Sequence, residues 1–359
     1  MFTLHGQTAL GKRGTLSANH GEVQTPFFMP VGTAGAMRGI THRELLDLGA
    51  QILLCNTYHL HLQPGEDVVK EAGGLHTFVD WNKPILTDSG GYQVFSLRST
   101  NKIEEDGVHF QSHINGDKHF LGPESAMRIQ HALGADIIMC FDHCPPSTAD
   151  RKEIEKAVDR TLMWAKECKK WHEKLCKKSD HSPLLFGIVQ GGLERDLREK
   201  CTEELIAIGF DGYAIGGLAV GESPKEMYDV LDTVCPLLPE ESLRYLMGVG
   251  MIDQLQTCVA KGIDMFDCVL PMRLARHAHI WLSDGSDIRI NRSEYKNAHE
   301  PLDPDSPSPL SQNHLRSYLH HLFKANERLA ETIACMQNLG VTLKAMQNLR
   351  SEMDRNIRN

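Results

Sequence analysis

Eight short apolar runs recur along the chain, each closing on glycine, polar or acidic residues: Pro26–Val31, Gln51–Asn56, Pro84–Asp88, Asp136–Asp142, Leu184–Gln190, Gly212–Gly217, Arg244–Gly248 and Met265–Leu270. Most are nearly unbroken in hydrophobicity, the pattern of parallel strands buried on both faces. Segments of helical period lie between several of them. His42–Gly49 carries Leu45, Leu46 and Leu48 before a glycine stop, and Ser125–Gly134 carries Met127, Ile129 and Leu133 before another. Lys152–Cys176, Asp196–Gly209 and Pro224–Cys235 behave alike. Strand–helix alternation repeated eight times predicts an α/β fold of the (β/α)8 TIM-barrel type. A doubly wound open sheet is the runner-up. It wants a glycine-rich turn after the first strand, and Gly32-Thr33-Ala34-Gly35 matches that poorly.

Two stretches interrupt the repeat. Ser96–Pro123 is polar, with turn signals at Asp106-Gly107 and Asn115-Gly116. Val108–Gln111 and His119–Leu121 flank the second turn, so a β-hairpin is expected as an insertion over 96–123. Met272–Gln337 follows the last strand, with a hairpin expected at Ser283-Asp284-Gly285 and a proline-rich loop over Pro301–Pro309. One long amphipathic helix should follow, its apolar face marked by Leu315, Leu319, Leu322, Leu329 and Ile333. The division is thus a single barrel domain over 1–359, with the insertion and a C-terminal subdomain over 272–340.

Apolar residues make up 41% of the 359 residues, enough for a large core, and the net charge is −9. An acidic protein that meets nucleic acid must grip it through a local basic patch. The ten cysteines are scattered, several inside apolar runs such as Ile52-Leu53-Leu54-Cys55, which suits buried reduced thiols. The start, Met1-Phe2-Thr3-Leu4-His5-Gly6, lacks a basic region followed by a long apolar stretch, and no run reaches membrane-span length. A cytoplasmic location without membrane contact is expected.

In a barrel, chemistry gathers where the strands end. Those ends carry Asn56-Thr57-Tyr58-His59, Asp88-Ser89-Gly90-Gly91-Tyr92-Gln93, Asp142-His143-Cys144, Gln190-Gly191-Gly192, Gly216-Gly217-Leu218, Met247-Gly248-Val249-Gly250 and Phe266-Asp267-Cys268-Val269-Leu270. Three aspartates with glycine-exposed backbone suit a flat heterocycle with several donors and acceptors. Each has a blander reading. A lone aspartate at a strand end caps a helix; Tyr92 and Met247 serve as core side chains; Gly90-Gly91 serves only as a turn. Cys140, His143 and Cys144 lack a fourth metal ligand, and alternation turns Cys140 away from His143. His59 and His61, two apart on one face, fit a structural pair, and His277 and His279 beside Arg273 and Arg276 fit a solvated basic loop.

With these residues in view, the chain resembles the bacterial type of tRNA-guanine transglycosylase from about Gly14 to Leu349. The most specific pieces are Thr87–Leu97, Gly187–Gly192, Gly212–Glu222, Arg244–Gly250 and Asp264–Pro271. The resemblance implies exchange of the wobble guanine of the tRNA anticodon loop for a 7-deazaguanine base in the queuosine pathway, in a homodimer with no redox cofactor. It implies that Asp267 attacks ribose C1′ to form a covalent intermediate and that Asp88 moves the base's proton. Asp142 would bind the pyrimidine edge, Gln190 and the Gly216-Gly217 turn the carbonyl, and the Leu218 carbonyl the aminomethyl group. Tyr92 and Met247 would sandwich the ring. Cys144 and Val220 match the bacterial pattern and favour 7-aminomethyl-7-deazaguanine. Arg273, Arg276, Arg289, Arg292 and Lys296 are the expected phosphate contacts.

The family carries a structural zinc held by three cysteines and a histidine. Aligned without gaps, this chain has Ser306, Ser308, Ser311 and Gln337 there, poor ligands beside thiolate and imidazole, so no zinc and no other cofactor is expected. Met272 and Leu274 also replace the usual Thr and Asn of the loop after the nucleophile. Two alternatives therefore stand beside active tRNA exchange: a paralogue using another polynucleotide or base, and a non-catalytic partner subunit.

Overall fold

The computed structural model describes residues 1–96, 101–178 and 181–358. All eight apolar runs form strands: Phe27–Met29, Leu53–Cys55, Ile85–Thr87, Ile137–Met139, Leu184–Val189, Gly212–Ile215, Leu243–Leu246 and Met265–Asp267. They pair in parallel, in one eight-stranded sheet. A parallel bridge between Val31 and Leu54 joins the first run to the second and closes the ring. The (β/α)8 expectation holds, and the open doubly wound sheet is excluded.

Strand alternation sorts the core into two layers. Phe27, Met29, Leu86, Ile137, Met139, Phe186, Ile188, Ala214, Tyr245 and Met265 fill the barrel axis. Their neighbours Phe28, Ile85, Ile138, Leu185, Val189 and Leu246 face outward, under the helices. The helices fall where expected: His42–Asp47, Pro123–Leu133, Arg151–Cys176, Arg195–Ile208 and Pro224–Val234. Ser223 starts the last of these with a capping box to Glu226, and Asp150 caps the long one by accepting from the Glu153 N–H.

An antiparallel sheet of Phe2–Thr8, Gly11–Ala18 and Gly21–Thr25, which the sequence reading did not anticipate, joins the same interior. Its fully buried Leu16 and Val23 pack into the axis cluster. In the insertion, Val108–Gln111 pairs antiparallel with Lys118–Leu121, as expected, and Lys102–Ile103 adds a third short strand. Residues 97–100 of that stretch lie outside the described residues. The second hairpin is also present, His279–Trp281 pairing with Asp287–Arg289.

Three local expectations are corrected. The single helix after the proline-rich loop is two, Arg316–Lys324 and Arg328–Arg358, broken where Asn326 takes a left-handed φ of 56°. Leu319, Leu322 and Ile333 are buried as expected, but Leu329 is 41% exposed because it follows the break. The segment after Asp267 is a helix, Leu270–Arg276, whose Met272 turns into the core rather than toward a ligand. His59 and His61 share no face: they lie on the helix Thr57–Leu62, where residues two apart diverge. His61 meets Glu66 at 2.7 Å, while His59 lies near His113. Among the described residues, no helix is long and apolar enough to cross a membrane.

Candidate active site

Alternation delivers the site. Asp88 lies two residues past Leu86, Gln190 two past Ile188, Met247 two past Tyr245 and Asp267 two past Met265, so each continues an axis-facing row to the rim. Strand four departs from the pattern. Phe141 joins the outer layer, and the side chain of the next residue, Asp142, meets those of Ser89 and Gln190.

Asp88 is 7% exposed. The Asn56 side-chain amide donates to its Oδ2 at 2.5 Å and the Thr57 N–H to its Oδ1 at 2.7 Å. Burial pushes its pKa up to about 6, against the pull of those bonds and of Gln93, and the charge of Asp267 adds to the rise. The two carboxyls thus feel each other across the rim. Both donors to Asp267 fall on Oδ1: the Tyr245 hydroxyl at 2.6 Å and the Gly248 N–H at 3.0 Å. Burial raises Asp267 too, while these two bonds favour its charged form. Tyr245 stays protonated, its pKa raised by burial and by the neighbouring Asp267, so it remains a donor.

Asp142 centres a second group. Ser89 donates to its Oδ1 at 3.1 Å and Gln190 to its Oδ2 at 2.8 Å. Burial raises Asp142 to about 6. Gln190 sits against the Gly216-Gly217 turn so closely that a Cβ on Gly217 would lie 2.7 Å from its Oε1, and Gly217 itself takes a left-handed φ of 66°. A Cβ on Gly91 would lie 2.8 Å from the Asp142 carbonyl oxygen, so the paired glycine is a steric requirement here. Cys144 joins this group, its thiol raised to about 12 by burial and the Asp142 charge while Gln190 and the Gly217 backbone pull against the rise. Gln190, Asp142, Cys144, Gly216 and Gly217 therefore lie together.

The ring-sandwich pair is less compact. Tyr92, 52% exposed, lines a cavity of about 650 Å³ with Phe95, His143, Cys144 and Val220. Met247 packs against the barrel axis instead. Leu218 is buried, and Glu222 holds the backbone beyond it, accepting from the N–H groups of Ala219 and Val220. Of the basic residues, Arg273 lines a cavity of about 230 Å³ with Gly248 and Cys268, next to Asp267. Arg276 lies partly buried against Cys335, while Arg289, Arg292 and Lys296 are exposed.

Sequence reasoning missed several participants. Asn56, Thr57 and Ser89 were seen as strand-end residues without a task. Tyr245 carried a usable signal, a hydroxyl on an axis-facing position. So did Arg198, a charge on the same helical stripe as Cys201 and Leu205. Its guanidinium is fully buried and donates to the carbonyls of Val189 and Gly192 at 2.8 Å each, fixing the turn after strand five.

The positions of the family's zinc ligands do come together. Ser306 donates to Gln337 Oε1 at 2.6 Å, and the Gln337 amide donates to the Trp281 carbonyl at 2.8 Å and to Asp303 at 2.7 Å. Ser308 and Ser311 are fully buried beside them. Three hydroxyls and an amide do not suit zinc. The group ties the second hairpin, the proline-rich loop and the C-terminal helix by hydrogen bonds.

A carboxylate steadied by two donors and facing a second carboxyl whose pKa burial raises to about 6 is equipment for displacement at a sugar carbon. With the barrel around it, this defines an enzyme of the pentosyl-transferring class. A sequence model described as queuine tRNA-ribosyltransferase matches residues 7–357. The queuine tRNA-ribosyltransferase of Halothermothrix orenii is 48% identical over 337 residues, 94% of this chain and 88% of its own length. That of Acinetobacter baumannii strain SDF is 47% identical over 354 residues, 99% and 93%. That of Psychrobacter sp. PRwf-1 is 47% identical over 361 residues, 98% and 93%. The chain belongs to the queuine tRNA-ribosyltransferase family.

Proposed function

We propose that the protein exchanges the wobble guanine of a tRNA anticodon for 7-aminomethyl-7-deazaguanine by double displacement. The observation that carries this reading is the unequal pair of rim carboxyls. Asp267 Oδ1 holds both donors, which leaves Oδ2 to attack ribose C1′ and form an ester with the sugar. Asp88, with a pKa of about 6, gives its proton to the departing guanine and then accepts one from the incoming base. Two displacements at one carbon restore its configuration. Asp142 reads the pyrimidine edge, and Gln190 with the Gly216-Gly217 turn takes the carbonyl. The Leu218 carbonyl takes the aminomethyl group; Tyr92 and Met247 flank the ring. Cys144 and Val220, on one cavity wall, support the small aminomethyl base over bulkier queuine. Arg273, Arg276, Arg289, Arg292 and Lys296 meet phosphates, and the enzyme works in the cytoplasm as a homodimer.

Radiolabelled guanine exchange into bulk tRNA is the test. Label should enter tRNA, a denaturation-resistant protein–tRNA adduct should accumulate when no base is supplied, and Asp267→Asn should lose both. Exchange into DNA but not tRNA, or base binding with no exchange into any polynucleotide, would overturn the reading. Light scattering tests the dimer.

A further inference from the structure

Away from the rim, two clusters bring potential metal-ligand atoms within 4.8 Å of one another: His20, His76 and Asp136, and His131, His172 and Cys176. They differ in how their lone pairs are used. Asp136 already accepts from both the backbone N–H and Nδ1 of His20, from His76 Nε2 and from the Ile85 N–H, all at 2.8 to 2.9 Å. That carboxylate is saturated, and a cation would have to break a finished network. In the second cluster the three potential ligands hydrogen-bond one another, with no carboxylate among them. His131 Nε2 stands 3.1 Å from His172 Nδ1, and Cys176 Sγ stands 3.7 Å from the same nitrogen. A tetrahedral zinc site with metal–nitrogen bonds of about 2.1 Å and metal–sulfur bonds of about 2.3 Å has N···N and N···S edges of about 3.4 and about 3.6 Å. The observed edges lie within about 0.3 Å of both; because Cys176 Sγ is also 3.6 Å from His172 Nε2, the His172 ring must turn to aim one nitrogen lone pair at a metal shared with the thiolate.

The fold supports the same conclusion in two further ways. His172 and Cys176 are four residues apart on the helix Arg151–Cys176 and so share a face, while His131 comes from the last turn of the packed helix Pro123–Leu133. Both ligand-bearing turns are helix C-termini, where the peptide dipoles favour a cation. A cavity of about 500 Å³, lined by His172, Cys176, Ser182 and Asp211, borders the cluster and has room for a water as fourth ligand. The Ser182 hydroxyl, 3.4 Å from Cys176 Sγ, adds a polar neighbour. Leu184, at the start of strand five, lines the same cavity, so the cluster lies at the barrel face opposite the catalytic rim.

We propose that His131, His172 and Cys176 bind zinc(II) and staple two outer helices at the barrel's lower face, independently of base exchange. On binding, the thiol proton passes to solvent and the thiolate and two imidazole nitrogens take the metal. The site is separate from the family's zinc position, now held by serines and glutamine.

Cobalt(II) titration of the chelator-stripped full chain tests this. One equivalent should produce tetrahedral ligand-field bands with a thiolate-to-cobalt charge-transfer band, displaced by zinc. Cys176→Ser should abolish the charge-transfer band. His131→Gln should weaken binding at least about tenfold. His20→Gln, in the saturated cluster, should change nothing. Zinc should raise the melting temperature of the unaltered chain but not of Cys176→Ser, with circular dichroism confirming that each variant is folded. No band at one equivalent, or a band that survives Cys176→Ser because another of the ten cysteines supplies it, overturns the proposal.

Discussion

The two ends of the barrel partner their carboxyls differently: with basic side chains at one, with neutral donors at the other. At the lower end, before the strands begin, Asp136 accepts four N–H donors, and its pKa is lowered as the bonds to His76, Ile85 and His20 outweigh burial. Asp264, at the same end, is also raised by burial, but it is matched by a cation: it meets Lys12 at 3.0 Å, and that ammonium also donates to the carbonyls of Glu240 and Ser242. At the upper end, Asp88 and Asp142 are buried and Asp267 is partly buried; all three have fewer side-chain and backbone donors than Asp136, have no cationic partner among the described ion pairs, and are raised. Stability accumulates where charge is matched. Reactivity accumulates where burial outruns pairing, because a carboxyl held near neutrality can move protons and an under-solvated carboxylate can attack.

The largest expected effect is on the upper end. Under the proposed mechanism, Asp267→Asn keeps the shape and removes the attacking charge, so exchange measured with labelled guanine should fall at least about 10³-fold with the fold intact. A residual rate within tenfold of the unaltered enzyme would mean that the rim carboxyls are not the working groups. The next largest belongs to the lower end. Lys12→Ala strands Asp264 in the interior and should lower stability by about 3–5 kcal/mol in urea titrations, with exchange unchanged in the fraction that remains folded. If Lys12→Ala impaired exchange in folded protein instead, the division of labour between the ends would fail.

How much of this was legible follows from the distances over which each feature is decided. The strands and the rim positions of Asp88, Gln190 and Asp267 were readable because a period of two is local, and two residues beyond an axis-facing Leu86, Ile188 or Met265 is still the axis. The sheet over Phe2–Thr25 was not, since its buried Leu16 and Val23 acquire meaning only from a barrel interior far along the chain. The helix break at Asn326 was hidden because Leu322, Leu329 and Ile333 keep a plausible spacing across it. Partners such as Asn56 for Asp88 and Tyr245 for Asp267 lie 32 and 22 residues away in sequence, and only closure of the ring brings them together.

A smaller effect sharpens the contrast through pH. The native chain keeps protons on Asp88 and Asp142 up to about pH 6, whereas an unfolded chain releases them near pH 4. Their contribution to stability is full below the unfolded value, falls as pH rises through that window, and levels off above it, by an upper limit of roughly 3 kcal/mol each. Asp136 acts in the reverse sense: its contribution is present above the unfolded value and lost as pH falls through its lowered pKa. Asp142→Asn should therefore flatten the decline between about pH 4 and about 6, and should be more stable than the unaltered chain at pH 8. Gln190 can turn its amide to face the new NH2 group, since its Oε1 has no hydrogen-bond partner among the described residues. Urea midpoints measured across this range decide it, and an unchanged slope would remove Asp142 from the unpaired set.

The smallest effect tests the pairing rule at neutral groups, in the segment where the family keeps zinc. The Ser306 hydroxyl bridges the Ser308 N–H and Gln337 Oε1, whereas the hydroxyls of Ser308 and Ser311 are buried with no hydrogen-bond partner among the described residues. Removing a bridging hydroxyl leaves its partners stranded, so Ser306→Ala should cost about 1–3 kcal/mol. Removing an unsatisfied hydroxyl strands nothing, so Ser308→Ala and Ser311→Ala should lie within about 0.5 kcal/mol of neutral, or stabilise. In a Cys176→Ser background, a chelator should leave the melting temperature of this segment untouched. Were Ser308→Ala and Ser311→Ala as damaging as Ser306→Ala, with a melting temperature that dropped on chelation, these serines would be holding a metal, and pairing within the protein would no longer explain what braces the C-terminal segment.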